Sequence, residues 1–289
     1  MNIKDEILNF MNQRPETIGI IGYGSGVNPQ KGQEKRNPQI DLIVIVNNLK
    51  QWHKKNIKLN KYDYSLTARL FFNYGSYNWL KSGAHICYMT YIPFNGKEYK
   101  IGTIELEDFL NDLNNWETFY MAGRMQKPIL IAKSTKEIEK AIEKNRTAGI
   151  SATKMLLEKN TKEKDFYISL GSLSYIGDTR MGIAENPDKV KNIVEGRYDF
   201  YQAEYGSKLN IENGNVIITD DYDIEKMPQE LKDYLQNVPK EELSVKVREF
   251  LTQKNKSQSM AQTVKGIFTT GPVKALKYAN AKLKRKQKK

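Results

Sequence analysis

Cysteine and histidine are scarce in this sequence. One cysteine, Cys87, and two histidines, His53 and His85, occur among 289 residues. A single cysteine excludes an intrachain disulfide and a cysteine-based zinc site. Two histidines are too few for a histidine-rich metal centre. These absences exclude metal centres built mainly on sulfur or nitrogen ligands.

Long apolar runs are also absent, and no stretch approaches the length that spans a bilayer. The first eight residues are acidic and amphipathic, unlike the apolar core of a signal sequence. Charged residues make up 28% and hydrophobic residues 39% of the chain, which is typical of a soluble globular protein with one large or two ordinary domains. We expect the protein to be made and kept inside the cell.

Acidic residues are missing from the C-terminal end. The segment Lys254–Lys289 contains ten lysines, one arginine and no aspartate or glutamate. It carries +11 of the net charge of +12, which leaves residues 1–253 nearly neutral. This distribution argues against a broad nucleic-acid groove across the fold and favours a tail that meets an anionic surface.

A glycine-rich turn near the N-terminus is the strongest candidate for chemistry. The apolar run at Ile18–Ile21 leads into Gly24, Ser25 and Gly26, and a second apolar run, Ile40–Val46, carries Asp41 near its start. Glycines let a backbone approach a ligand and present N–H groups to an anion, whereas a lone buried carboxylate needs a partner. Two interpretations remain: a phosphate cradle beside a metal-binding carboxylate, or a tight turn between two core strands.

The turn does not match three familiar motifs. No Gly-Lys-Ser/Thr follows it, as a Walker A loop requires. Val27 occupies the place of the third glycine of a dinucleotide-binding fingerprint. Tyr23 stands two residues before Ser25, where a nucleophile elbow has glycine.

Hydrophobic periodicity predicts a mixed α/β region up to about residue 122. The predicted helices lie at 3–13, 62–75 and 106–120, and the predicted strands at 18–21, 40–46, 84–92 and 98–104. A boundary falls near the basic block at 121–128, giving predicted domains 1–122, 123–255 and 256–289.

The second predicted domain is mainly helical. A strand at 129–132 is followed by a capping box at 134–137, which opens a long helix to about Lys159. Further on, residues 211–219 are expected to form a short strand or hairpin, and 226–251 a charged helix interrupted by prolines.

The Gly-Ser turn followed by a strand-borne aspartate resembles the polymerase-β-type nucleotidyltransferase signature. In that fold the turn holds the nucleotide triphosphate, and acidic residues on the next strand hold Mg²⁺. Those proteins usually carry a second carboxylate two residues further on, where this sequence has Ile43. Glu105 could supply the missing ligand, with Glu98 and Glu107 as competitors.

A more specific resemblance rests on eight sequence blocks in order, between about residues 22 and 271. The blocks are Tyr23–Val27 with Gln30; Trp52, His53 and Asn56; Tyr64–Ser65; Asp112–Trp116; Ala122–Pro128; Leu173–Met181; Lys189–Val194; and Lys265–Gly271. Together they resemble the phosphatidate cytidylyltransferases of the mitochondrial translocator assembly and maintenance family. The match is weak between about 205 and 255.

The resemblance implies an α+β fold: a nucleotidyltransferase-like mixed sheet with helices, then a helical, winged-helix-like domain, with the active cleft between them. It implies synthesis of CDP-diacylglycerol from CTP and phosphatidic acid with Mg²⁺. The implied site comprises Asp41 and Glu105 for the metal, Gly24, Ser25 and Gly26 for phosphates, Arg124 and Lys127 for substrate charge, and Tyr175, Asp178 and Arg180 for binding.

Structural roles without any function in catalysis or binding remain possible for several of these residues. Arg124 and Lys127 could belong to a solvated linker between domains. Asp178 and Arg180 could pair with each other to fix a helix end. The whole protein could also be a nucleotidyltransferase for a nucleic-acid end or a small molecule, or a non-catalytic protein that binds membrane surfaces.

The C-terminal segment has an apolar stripe with basic flanks. Its apolar residues are Val264, Ile267, Phe268, Val273, Leu276 and Leu283, and the flanking lysines are Lys274, Lys277, Lys282 and Lys284. Basic amphipathic helices of this kind lie on anionic lipid. The alternative is a disordered solubilising or RNA-binding tail, although the aromatic interleaving of single-strand binders is missing.

We therefore expect a peripheral protein at the inner face of the cell membrane, or at the matrix side of the inner membrane if the protein is mitochondrial. We expect no stable nucleic-acid partner.

Overall fold

The computed structural model describes residues 2–29, 38–74, 81–178, 186–219 and 224–270. A five-stranded mixed sheet with helices on both faces forms the first unit. Helices and a small three-stranded sheet form the second unit around a separate core. The predicted α+β class is confirmed.

The helices and strands occupy the following ranges. The strands are β1 Gly19–Tyr23, β2 Ile40–Val46, β3 Cys87–Phe94, β4 Lys97–Glu105, β5 Ile129–Lys133, β6 Asn160–Lys162, β7 Ile211–Glu212 and β8 Asn215–Ile217. The helices are α1 Ile3–Met11, α2 Leu49–Leu59, α3 Leu66–Tyr74, α4 Leu106–Asn115, α5 Ala122–Met125, α6 Lys136–Leu156, α7 Glu163–Ser172, α8 Lys189–Gly196, α9 Tyr198–Tyr205, α10 Gln229–Leu235 and α11 Leu243–Thr270. Short 3₁₀ turns connect several of them.

The central strand β2 organises the large sheet, whose strand order is β3-β4-β2-β1-β5. It pairs antiparallel with β1 and parallel with β4. Because side chains alternate along a strand, Leu42 and Val44 face the core under α1, α2 and α3, while Ile43 and Ile45 face the core under α4 and α6. Asp41 lies on the same side as Ile43, at the end of the strand.

Two predicted helices end earlier than the periodicity suggested. The helix expected at 106–120 stops at Asn115, because Trp116 takes a left-handed conformation (φ 58°) and donates its indole N–H to Asn145 Oδ1 at 2.8 Å. The helix expected to reach Lys159 stops at Leu156, because the chain then extends into β6.

The first unit extends past the predicted boundary at residue 122. Strand β5 pairs with β1 in the large sheet. Helix α6 then contributes Ile138 and Ile142 to the core of the first unit, and Ala152 and Met155 to the core of the second. One long helix therefore belongs to both cores and joins them.

Helix α11 also joins the two units. Leu243, Val247 and Leu251 lie in the second core, while the helix packs as well against β3 and α3 of the first unit. It contains the end of the predicted helix at 226–251 and the start of the predicted tail. Residues 271–289, which complete that tail, lie outside the described residues. No helix in the described part of the chain combines the length and apolarity needed to cross a membrane.

Candidate active site

A cleft of about 250 Å³ lies between the two units. Its walls come from the end of the large sheet, the linker that carries α5, the turn after α7, the start of α8 and the middle of α11. The lining residues are Tyr23, Gly24, Ser25, Asn28, Pro29, Asp41, Lys100, Phe119, Tyr120, Arg124, Lys127, Pro128, Ser174, Tyr175, Asp178, Lys189, Ile193, Arg197, Asn255 and Gln258. Five of them are lysine or arginine and two are aspartate.

Asp41 lies at the centre of the sheet edge that faces the cleft. Its neighbours in register are Tyr23 on β1 and Lys100 on β4. Lys100 Nζ is 3.7 Å from Asp41 Oδ1, and the Asp41 side chain is 25% exposed. Burial raises the pKa of Asp41, and the charges of Lys100 and Arg124 oppose that rise. The carboxylate is thus held in a half-buried, cationic setting.

The glycine turn packs closely against the start of β2. Gly24 has φ of +73°, and a Cβ there would lie 3.1 Å from Asp41 Oδ2. A Cβ on Gly26 would lie 2.3 Å from the carbonyl oxygen of Gln39, which no side chain tolerates. Gly24 and Ser25 line the cleft as expected, whereas Gly26 lies behind the turn and allows its close approach to β2.

Glu105, the second metal ligand expected from the sequence, lies far from Asp41. Ile43 is fully buried in the core. Glu105 pairs with Val46, five register positions from Asp41, which at strand geometry is about 16 Å away. Its carboxylate accepts the backbone N–H of Leu49 at 2.7 Å and thereby holds the start of α2. Glu105 therefore cannot share a metal ion with Asp41, and its prediction as a metal ligand is wrong.

The cleft contains few carboxylates that could take part in binding a metal ion. Asp41 and Asp178 are the acidic residues that line it. Within the described ranges, no cluster of three or more histidine, cysteine, aspartate or glutamate side chains could hold a metal unaided. Mg²⁺ is commonly bound by one or two carboxylates together with substrate phosphates and water. The donor set present fits that mode of binding.

Arg124 is fixed by its aromatic neighbours. Its Nη1 donates to the carbonyl of Tyr120 at 2.7 Å, and its guanidinium lies 3.6 Å from the centre of the Tyr120 ring. The ring of Tyr23 lies 5.9 Å away on the sheet side. Such cation–π contacts orient a guanidinium without neutralising it. Arg124 is thus a positioned cation, and the solvated-linker alternative is not what the structure shows.

Asp112 holds the linker that carries Arg124. Its Oδ1 accepts the backbone N–H groups of Thr118 and Phe119 at 2.7 and 2.6 Å. Its Oδ2 accepts those of Met121 and Ala122 at 2.7 and 3.1 Å. One buried carboxylate therefore satisfies four backbone donors in the segment leading into α5.

Lys127 crosses the cleft to the second unit. Its Nζ donates to Ser174 Oγ at 2.6 Å and lies 4.4 Å from the centre of the Tyr175 ring. Burial lowers the pKa of Lys127 to about 8, and the nearby charges of Arg124 and Lys189 act in the same direction. Two cationic neighbours around a buried lysine indicate a site for a polyanion.

The turn that carries Tyr175 and Asp178 is held by α11. Asn255 Nδ2 donates to the carbonyls of Leu173 and Ile176, both at 2.9 Å. Gly177 has φ of +74°, and a Cβ there would lie 2.6 Å from Thr252 on α11. Asp178 is 7% exposed and lines the cleft. Arg180 lies outside the described residues, so its predicted role stays a prediction.

With this geometry established, comparison with known proteins identifies the family. The model of the family described as mitochondrial phosphatidate cytidylyltransferase matches residues 5–233 and 217–285. The chain belongs to this family. It is similar to relatives that carry the same name: 31% identical to the Schizosaccharomyces pombe protein (98% of this chain, 84% of that protein), 34% to the Saccharomyces cerevisiae protein (91% and 65%) and 29% to the Xenopus laevis protein (96% and 92%).

Several blocks that resemble the phosphatidate cytidylyltransferase family lie away from the cleft and are structural. His53 is fully buried and bonds through Nδ1 to Tyr64 Oη at 2.8 Å and through Nε2 to Thr103 Oγ1 at 2.6 Å. Asn56 Nδ2 donates to the same tyrosine hydroxyl at 2.9 Å. This buried network ties α2 and the turn after it to β4.

Sequence reasoning gave no site role to several polar residues of the cleft, among them Asn28, Lys100, Lys189 and Arg197. Arg197 donates to Asn28 Oδ1, and Asn28 Nδ2 donates to the carbonyl of Pro128 at 2.9 Å. Lys189 begins α8 and lies inside a block that resembles the family, so that block was the available signal. Lys100 can be recognised as a cleft residue only from the β2–β4 register, which could not be predicted from the sequence.

Proposed function

We propose that this protein is a CTP:phosphatidate cytidylyltransferase, which transfers CMP from CTP to phosphatidic acid and releases pyrophosphate. The observation that best supports the proposal is that five cationic side chains line the same cleft as the Gly-Ser turn and Asp41. Both substrates are polyanions, and a cluster of fixed cations in a half-buried cleft is what two phosphate-bearing substrates require. The names of the related proteins agree with this activity.

The reaction is an in-line displacement at phosphorus. An oxygen of the phosphatidate phosphate forms a new bond to the α-phosphorus of CTP. The bond between that phosphorus and the oxygen bridging to the β-phosphate breaks, and pyrophosphate leaves with the bonding electrons. Negative charge grows on the leaving group, so fixed donors and cations matter more than a nucleophilic side chain.

The cations come from both sides of the cleft, which suits two substrates that meet in it. Lys100 belongs to the first unit, Arg124 lies on the linker, and Lys127 reaches from the end of that linker to the second unit. Lys189 and Arg197 come from the second unit. The triphosphate lies along the Gly24–Ser25 turn, and the cations of both units offset the charge of the pyrophosphate and of the phosphatidate headgroup.

Mg²⁺ is the metal that the proposal requires. Asp41 would hold it together with CTP phosphate oxygens, and Asp178 is the second carboxylate available in the cleft. When bound, Mg²⁺ neutralises charge on the phosphates and polarises the α-phosphoryl group. Asp41 keeps its acceptor oxygens directed into the cleft because Gly24 has no side chain to cover them.

The protein works at a membrane surface, since phosphatidic acid is a lipid. Residues 271–289 contain eight lysines or arginines and no acid, and each basic residue near an anionic surface contributes about 1 kcal/mol before screening. The tail therefore holds the enzyme peripherally on the inner face of the membrane. The relatives are named as mitochondrial; in a mitochondrion the location we propose is the matrix side of the inner membrane.

A substrate panel tests the proposal against its rivals. Purified protein with Mg²⁺ receives CTP, ATP, GTP or UTP, and vesicles containing either phosphatidate or diacylglycerol without the phosphate. We expect CDP-diacylglycerol from CTP and phosphatidate only. Transfer to an oligonucleotide end or a small molecule in parallel reactions would favour a different nucleotidyltransferase. Absence of any transfer would favour a non-catalytic membrane-binding protein.

A further inference from the structure

An exposed apolar stripe runs along α3 of the first unit. Leu66, Leu70 and Tyr74 are 74%, 60% and 84% exposed. Their spacing of four residues places them on one side of the helix. Leu59, the last residue of α2, and Tyr62, in the turn between α2 and α3, are also exposed. Of the seven large hydrophobic side chains exposed in the described part of the chain, five lie in this short region. We call residues 50–74 the α2–α3 face.

The charge of the α2–α3 face is strongly positive. It contains five lysines and one arginine, and its single acid, Asp63, is bound by the buried Arg14 at 2.8 Å. Its net charge is +5, whereas all other residues within 1–253 together carry −4. Lys54, Lys55, Lys58 and Lys61 are exposed beside the apolar stripe. Residues 1–253 have a net charge close to zero, but they therefore include a second basic region.

The α2–α3 face is connected to the cleft by α11. This helix lines the cleft with Asn255 and Gln258, packs against α3, and leads directly into the basic residues 271–289. From Gln258 to the last described residue of α11 the helix rises about 18 Å. The stripe, the cleft and the start of the tail are thus connected through one continuous helix.

We propose that the α2–α3 face is a second membrane-contact surface, which inserts Leu66, Leu70 and Tyr74 into the headgroup region of an anionic bilayer. Exposed leucine and tyrosine flanked by lysine is the composition of interfacial binding elements. The choice of lipid as partner rests on the proposed function. The surface would hold the cleft at a fixed distance from the bilayer that contains the lipid substrate.

The positive charge of the α2–α3 face indicates which kind of partner could cover the apolar stripe. Residues 271–289 are themselves basic, so electrostatic repulsion opposes their docking on a face of charge +5. The same repulsion opposes pairing with a second copy through this face. An anionic lipid surface complements both the charge and the apolar stripe.

Site-specific fluorescence tests the proposal directly, because Cys87 is buried and any introduced surface cysteine is the reactive one. Leu70→Cys carries an environment-sensitive dye, and Val245→Cys, an exposed position on α11 in the second unit, is the matched control. With phosphatidylglycerol vesicles we expect a blue shift at position 70 and none at 245. An unshifted dye at position 70, or equal shifts at both positions, would overturn the proposal.

A binding measurement provides an independent test. The variant Leu66→Gln/Leu70→Gln/Tyr74→Gln is compared with Val245→Gln by sedimentation with phosphatidylglycerol vesicles. We expect the partition constant of the triple variant to fall about tenfold or more, with unchanged thermal unfolding and unchanged Val245→Gln binding. A fall of less than about twofold would overturn the proposal.

Two features of these experiments distinguish a failure of the membrane-contact proposal from a failure of the proposed enzyme activity. Phosphatidylglycerol is not the proposed substrate, so vesicle binding is measured even if the protein makes no CDP-diacylglycerol. If it does, the triple variant should keep its activity on detergent-dispersed phosphatidate and lose it on vesicles. Equal loss on both would assign the stripe to the fold or the cleft and would overturn the membrane-contact role.

Discussion

Lys100 Nζ lies 3.7 Å from Asp41 Oδ1, because the parallel pairing of β2 with β4 places these residues side by side at the edge of the cleft. The pairing supplies the cation that a half-buried carboxylate requires. It also places a positive charge next to the atoms that would hold Mg²⁺ and the CTP phosphates. Lys100 further packs over the Tyr88 ring at 4.3 Å, which restricts its position.

We predict that Lys100→Gln lowers kcat/KM for CTP by about 10²- to 10³-fold, as expected when one fixed donor is removed from a site that stabilises phosphate charge. Steady-state kinetics at saturating phosphatidate measures this effect. Lys136→Gln, at an exposed position on α6, is the control and should behave as wild type. Equal kinetics for the two variants would remove Lys100 from the site.

The pH dependence of the reaction should show the ionisation of Lys127. Its pKa is lowered to about 8, so its ammonium is present below pH 8 and is lost as the pH rises through that value. Tyr175 and Ser174 face it from the second unit, and Arg124 and Lys189 are the cations around it. Because kcat/KM reports the free enzyme, kcat/KM for CTP should fall above about pH 8.

Lys127→Arg is the matched test of that assignment, since a guanidinium remains charged across this range. The descending limb near pH 8 should move to higher pH in the variant, even if its maximal rate is lower. An identical descending limb in both proteins would assign the titration to another group or to the substrate.

Asp112 should act on the rate through Arg124 without touching substrate. Asp112→Asn removes the charge that accepts four backbone N–H groups before α5. We expect the free energy of unfolding to fall by about 1–3 kcal/mol, the cost of weakening a buried charged hydrogen-bond network. Denaturant unfolding measures this loss, with Glu107→Gln, exposed on the same helix, as the control.

A purely structural effect of Asp112→Asn is distinguished by its temperature dependence. Well below its unfolding midpoint, the variant should still show a reduced kcat, because the linker that carries Arg124 is less constrained. A variant that is less stable but fully active when folded would show that Asp112 supports the fold alone.

Asn255 should couple α11 to the cleft. Asn255→Ala removes both hydrogen bonds to the turn that carries Tyr175 and Asp178. We expect the KM for CTP or phosphatidate to rise and kcat to fall, with a stability loss of about 1–2 kcal/mol. Gln253→Ala, exposed two residues earlier on the same helix, should leave both parameters unchanged. Identical kinetics in the two variants would contradict a positioning role for α11.

The strands around Asp41 could be predicted because their apolar runs are unambiguous. The bounds of β2 match the run at 40–46, and the turn between β3 and β4 lies at Asn95 and Gly96, both with positive φ. Local composition determines such elements. The early end of α4 could not be predicted, because Trp116 leaves the helix for a partner 29 residues away.

The site was only partly predictable for a related reason. Asp41, Arg124, Lys127, Tyr175 and Asp178 were predicted, and the structure places all five in one cleft. Glu105 was chosen because it ends a strand, but β2 and β4 run parallel, so the end of β4 lies at the opposite edge of the sheet from Asp41. Lys100 could not be predicted as a site residue either, because its position beside Asp41 depends on the pairing of β2 with β4. The basic character of residues 50–74 was concealed because acidic residues elsewhere cancel it in the net charge.

The most direct test of the proposed chemistry follows the α-phosphate of CTP. Wild-type protein and Asp41→Asn receive CTP labelled at either the α- or the γ-phosphorus, together with Mg²⁺ and phosphatidate vesicles. Thermal unfolding confirms that the variant is folded. We predict that wild type moves the α-label into lipid and the γ-label into pyrophosphate, and that Asp41→Asn loses both by about 10³-fold or more. Label transfer by Asp41→Asn at the wild-type rate would contradict the central role of Asp41.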